Sequence, residues 1–131
     1  MQYLLDTHII LWILGNEEKL TLRVKNVIKN YDNKCYVSIA SLFEIAIKKT
    51  IGKLEIPLNS IELEKIIIDS GFNILPTKAI HLLEYEKLII QKEHKDPFDR
   101  LLIATAIAEN MAFISNDSNI NLYTPTLKIF I

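Results

Sequence analysis

The feature that most constrains this chain is a regular alternation of short apolar stretches with longer segments of helical periodicity. Residues 2–5 read as a strand that ends at Asp6, and Thr7 can cap a helix over 8–14 that closes at Gly15-Asn16. Residues 21–31 carry Leu22, Val24, Val27, Ile28 and Tyr31 at helical spacing, and Asp32-Asn33 turns the chain into a buried strand at Cys35-Tyr36-Val37. Ser41 and Glu44 read as a capping box, with Ser38 as an alternative start one turn earlier; that helix runs to about Thr50 and stops at Gly52. After the break at Ile56-Pro57, a helix spans 60–70, a third strand spans 72–75 before Pro76, and Thr77 caps a helix over 79–88. Asp96-Pro97 is a strong helix start, with Asp at the N-cap and Pro at N1, and the helix runs to Asn110. Residues 112–115 form a fourth strand, followed by Asn116-Asp117, and 127–131 read as a last one. Strands alternating with such helices predict an α/β fold: a three-layer α/β/α sandwich around a short, mostly parallel sheet of four to five strands. With 131 residues and no repeat or linker, the expectation is a single domain over 1–131.

That topology gives scattered acids a meeting place. In an open parallel sheet, ligands bind outside the carboxyl ends of the strands. Asp6 and Asp117 follow such ends, whereas Glu44 and Asp99 lie in early turns of helices that start at the same edge. Carboxylates gathered there repel one another unless a cation joins them. A donor set of oxygens with no nearby cysteine favours Mg2+, with Mn2+ as a substitute, over zinc. A metal-bound water can then attack a phosphodiester with no covalent nucleophile. Each acid also has a plainer explanation: Asp99 and Glu44 as capping acids, Asp117 as a turn residue, Asp96 as the helix cap. Asp6, directly after an apolar strand, is the hardest to explain without a ligand. Ser115 can orient a water or Asp117, and His8 and His94 read as solvated or hydrogen-bonded. Lys48, Lys49 and Lys53 form a basic cluster, and Lys95 and Arg100 flank Asp99; a solvated face explains them most simply. If one contacts phosphate, Arg100 is favoured.

Composition narrows the class. Half of the residues are hydrophobic and mean hydropathy is +0.19, yet no apolar run approaches a membrane span, so apolar surface is left for a partner or second copy. The first residues do not read as a signal peptide, and one cysteine, Cys35, rules out an intrachain disulfide; the expected location is the cytoplasm. A net charge of −1 argues against broad coating of nucleic acid but leaves room for RNA beside an acidic metal site.

Five stretches, in order and at matching spacing, carry a family resemblance: Leu4-Leu5-Asp6-Thr7-His8, Ser41-Leu42-Phe43-Glu44-Ile45-Ala46, Gly52-Lys53-Leu54, His94 to Ala104, and Ser115-Asn116-Asp117. Together they resemble PIN-domain nucleases, and within them the VapC-type toxins of bacterial type II toxin–antitoxin pairs. The resemblance implies a PIN-like fold and a Mg2+-dependent endoribonuclease. It implies Asp6, Glu44, Asp99 and Asp117 as metal-binding acids, with Ser115 and Asp96 at motif positions beside them; Thr7 and Arg100 complete the candidates for supporting those acids or binding substrate. It also implies a small antitoxin that blocks the acidic pocket, and homodimers. A PIN nuclease outside any toxin pair and a non-catalytic PIN binding module are the alternatives. An aspartyl phosphotransferase is disfavoured, because His8 stands where a second acid is typical of such enzymes.

Overall fold

The computed structural model describes residues 1–94, 96–124 and 126–130, with Ile129 and Phe130 described by backbone alone. Five strands, β1 (Gln2–Leu5), β2 (Lys34–Ser38), β3 (Asn73–Leu75), β4 (Ala112–Ile114) and β5 (Lys128–Phe130), form one sheet in the order β3-β2-β1-β4-β5. All four pairings are parallel, so the sheet expected to be mostly parallel is wholly so. The helices are α1 (Thr7–Gly15), α2 (Leu22–Lys29), α3 (Ile39–Thr50), α4 (Ser60–Asp69), α5 (Ala79–Lys87) and α6 (Pro97–Ala108). No described helix is long and apolar enough to cross a membrane.

Strand periodicity divides the interior into two cores. Tyr3, Leu5, Cys35, Val37, Ala112 and Ile114 point to one face, where Ile9, Ile10, Val24, Ile45, Leu63 and Ile67 cover them. Leu4 and Phe113 point to the other, against Leu102, Ile103, Ala106 and Ile120. This is the expected sandwich. Burial on both faces explains why the strands read as continuous apolar runs rather than alternating ones.

Helix ends explain most differences from the sequence reading. Asp6, not Thr7, caps α1: its side chain accepts the Thr7 N–H at 2.7 Å. Ser38 caps α3 by accepting from Ala40 N, so the alternative start is the observed one, and no box forms between Ser41 and Glu44. Thr77 does not cap α5; the His81 ring accepts the Lys78 N–H at 3.1 Å instead. Gly52 and Gly71 close α3 and α4 at φ 75° and 95°, with the paired backbone bonds Lys53 N to Lys48 O and Phe72 N to Ile67 O. Two 3-10 turns, Glu17–Lys19 and Ser118–Tyr123, were not anticipated.

Candidate metal centre

Strand order reverses direction about β1 and β4, and a crevice opens between such strands at their carboxyl ends. The chain leaves β1 through Asp6, whose N–H bonds Ile114 O at 2.9 Å and so extends the β1–β4 ladder by one rung. Asp6 is 5% exposed and fixed at both oxygens: Oδ1 accepts from Thr7 N, and Oδ2 accepts from the Ser115 hydroxyl at 2.6 Å. Ser115 also accepts the Asp117 N–H at 3.0 Å, so one buried hydroxyl ties the acid after β1 to the acid after β4. Burial pushes the Asp6 carboxyl above its ordinary range, against the opposing pull of Ser115 and Thr7.

Glu44 enters from the second turn of α3. Its Oε1 accepts the Thr7 hydroxyl at 2.7 Å, and its Oε2 pairs with Lys48 at 3.0 Å, one helical turn on. Thr7 Oγ1 also lies 3.0 Å from Ser41 Oγ, so Ser41, expected as a cap, buttresses this acid from inside the helix.

Asp99 lies in the first turn of α6. Asp96 takes the cap itself, accepting from Phe98 N at 2.8 Å and Asp99 N at 3.2 Å, which leaves the Asp99 carboxylate for other work. Partial burial pushes that carboxyl to about 7, reinforced by the charges of Asp6, Asp96, Glu44 and Asp117. With Thr7 joining Asp6 to Glu44 and Ser115 joining Asp6 to Asp117, the four expected acids lie along one rim with Asp96 beside them, near enough for their charges to act on Asp99. Asp117 caps the second 3-10 turn through Oδ1, accepting from Asn119 N, and turns Oδ2 inward.

His94, given no special weight from sequence, reaches this rim. It is 4% exposed, with Nε2 3.4 Å from both Asp99 Oδ2 and Asp117 Oδ2, and Nδ1 2.8 Å from the Tyr123 hydroxyl. Its place five residues before Asp99 was the available signal; nothing local pointed to Tyr123. Arg100 turns into the interior. It is 8% exposed, donates through Nη1 to Ile89 O and to the Tyr123 hydroxyl, and lies over the Tyr85 ring. The favoured phosphate contact is therefore replaced by a buried brace for the loop before α6. Lys48 is held by Glu44 and Lys49 by the Leu58 carbonyl; Lys53 is exposed, and Lys95 lies outside the described residues. His8 is exposed beside Asp6.

The donor set fits a divalent cation. Buried, mutually repelling carboxyls with raised proton affinity are the state that a bound ion would relieve. Asp6 and Asp99, with Glu44 and Asp117, are the residues that could hold it. At the same rim stand the N-termini of α1, α3 and α6, whose backbone dipoles favour anions.

The fold has counterparts among known proteins. A comparison with curated proteins finds no significant match. Among solved structures, VapBC2 from Rickettsia felis, bound to a DNA fragment from its promoter, is similar at TM-score 0.68 and 21% identity, covering 99% of this chain and 98% of that one. VapBC-1 from nontypeable Haemophilus influenzae is similar at TM-score 0.67 and 19% identity, covering 99% and 97%. DNA-bound VapBC from Salmonella typhimurium is similar at 0.69 and 14%, again covering 99% and 97%. At these identities the likeness is one of fold. The PIN domain model matches residues 3–124, from the first strand through the second 3-10 turn, and so takes in every acid of the rim: the chain belongs to the PIN domain family.

Proposed function

We propose that this chain is a Mg2+-dependent endoribonuclease, with Mn2+ as a substitute ion, acting as the toxin of a type II toxin–antitoxin pair. The observation that carries the reading is the convergence of Asp6, Glu44, Asp99 and Asp117 on one rim, with Asp99 driven to about 7 by burial and its acidic neighbours. A divalent ion held there would supply a water of lowered pKa and neutralise charge on the phosphodiester. The chain's own residues supply positioning. Ser115 and the Thr7 N–H hold both oxygens of Asp6, and Thr7 and Lys48 hold those of Glu44. Helix N-termini at the rim favour approach of a phosphate. The toxin role and the antitoxin partner are supported by the likeness to VapBC proteins. The homodimer is supported by apolar side chains left exposed, among them Ile80, Leu82 and Leu83 on α5 and Ile39, Phe43 and Ile61 on α3 and α4.

The test is cleavage of labelled total RNA by purified, antitoxin-free protein in Mg2+, in Mn2+ and in EDTA, beside Asp6→Asn. Asn caps helices nearly as well as Asp, so this variant keeps α1 and loses the charge. Discrete fragments that require both metal and Asp6 are expected. Folded protein that cuts nothing in either metal would point to a non-catalytic PIN module. A cutting enzyme with no small antitoxin gene beside its own would be a PIN nuclease outside a toxin pair.

A further inference from the structure

The oxygen-only donor set inferred from sequence omits one atom that the fold delivers. We propose that His94 Nε2 joins Asp99 Oδ2 and Asp117 Oδ2 as ligands of a transition-metal dication, giving the pocket a position that takes Mn2+ in preference to Mg2+. The inference rests on reading the rim as a metal centre and adds a nitrogen ligand to it.

Three observations carry it. His94 is 4% exposed, and its Nε2 makes no hydrogen bond among the described residues, although a buried polar atom normally finds a partner. That atom faces the acids: it lies 3.4 Å from an oxygen of each, and the three candidate ligand atoms fall within 4.8 Å of one another. A separation of 3.4 Å is long for an N–H···O bond, which prefers roughly 2.7–3.2 Å. It leaves Nε2 unpaired beside two carboxylate oxygens, with the three atoms close enough together for one ion to bind all of them.

The ring is also held from behind. Tyr123 Oη lies 2.8 Å from His94 Nδ1 and accepts from Arg100 Nη1 at 3.0 Å. Its remaining lone pair can accept Nδ1–H, which leaves the Nε2 lone pair turned to the carboxylates. Metal-bound histidines are typically oriented by such a partner on their other nitrogen. Arg100, Tyr123 and the Ile89 carbonyl thus form a support line ending at the ligand atom. Two carboxylates suit both Mg2+ and Mn2+, but Mg2+ keeps to oxygen ligands and gives up water reluctantly, so a single imidazole among them tilts the site toward Mn2+.

The experiment titrates metal-free, full-length protein with Mn2+, following the free-ion EPR signal and using pulsed EPR to detect nitrogen coupling to bound Mn2+. Wild type, His94→Gln and His8→Gln are compared, each also with Mg2+ as competitor. Wild type and His8→Gln should show nitrogen coupling. His94→Gln should lose the coupling, bind Mn2+ about tenfold or more weakly, and discriminate less against Mg2+. Bound Mn2+ without nitrogen coupling in wild type, or coupling lost in His8→Gln alone or kept in His94→Gln, would overturn the ligand assignment and leave the metal centre standing. Failure of wild type to bind Mn2+ would remove the metal centre as well. Should His94→Gln not fold, His8→Gln decides: among the three histidines, His81 Nδ1 already accepts from Lys78 N and its ring is wholly buried beside Glu109.

Discussion

Asp99 is where function and stability pull apart. Its carboxyl is pushed to about 7 because folding removes it from water and sets other acids around it. Asp99→Asn removes that repulsion at nearly constant volume. In EDTA at pH 8 we expect the variant to unfold at a higher temperature than wild type. Solvent screening of a partly exposed group keeps the gain to on the order of 1 kcal/mol, or about 3–5 °C. Metal-dependent cleavage should be lost in the same variant. A lower unfolding temperature would mean that the carboxylate makes a stabilising contact without metal. Cys35 is the opposite case. It is buried in the first core and its thiol is pushed to about 11, so native protein should resist a thiol reagent that labels unfolded chain at once. Asp6, Asp99 and Asp117 were legible as candidates because each stands at a strand end or helix start, positions that periodicity can locate, whereas Glu44 was expected near a helix start and lies in the second turn of α3. His94 and Tyr123 were not legible. Their roles depend on a contact across 29 residues of sequence, between the loop before α6 and a 3-10 turn with no apolar period. Arg100 was misjudged because its neighbour in sequence, Asp99, faces the rim while Arg100 turns inward to Ile89 and Tyr123.

At the scale of elements, the site is a set of helix starts. Asp6, Ser38 and Asp96 cap α1, α3 and α6, and Asp117 caps the second 3-10 turn. Capping therefore competes with ligation for the same oxygens, and the structure resolves this differently in each case. Asp96 is committed to two backbone N–H groups, and its place in the family motif is explained by fixing where α6 begins. Asp96→Ala should cost about 1 kcal/mol of stability in thermal unfolding and reduce cleavage by loosening Asp99, whereas Asp96→Asn should recover most of both. Complete loss of cleavage in a stable Asp96→Asn would give Asp96 a direct role. The existence and order of the helices were readable from apolar spacing, but their first residues were less so. Ser38 and Ser41 are equally good caps as residue types, and only the end of β2 at Ser38 selects the first. At α5 the cap came from a histidine ring, which capping preferences do not favour.

For the whole molecule, the parallel sheet fixes the sign of a pH effect. It places several acids at one edge, so the folded chain holds protons that the unfolded chain would release. Asp99 has an ordinary value of 3.8 and a folded value of about 7, and Asp6 is raised as well. Between about pH 4 and 7 these carboxyls thus bind more protons in the native state than in the unfolded one, and their contribution to stability falls as pH rises through that window. A divalent ion reverses the trend, because it binds the native carboxylates in place of protons and does so more tightly as they ionise. The expected outcome is a melting temperature in EDTA that declines from pH 5 to pH 8. Added Mg2+ should raise it little at pH 5 and substantially at pH 8. Asp99→Asn should flatten the EDTA profile, which assigns the slope to the rim. A wild-type profile that is flat in EDTA and indifferent to Mg2+ at pH 8 would mean that the acids do not share one pocket in solution, and the proposed nuclease centre would fall with them.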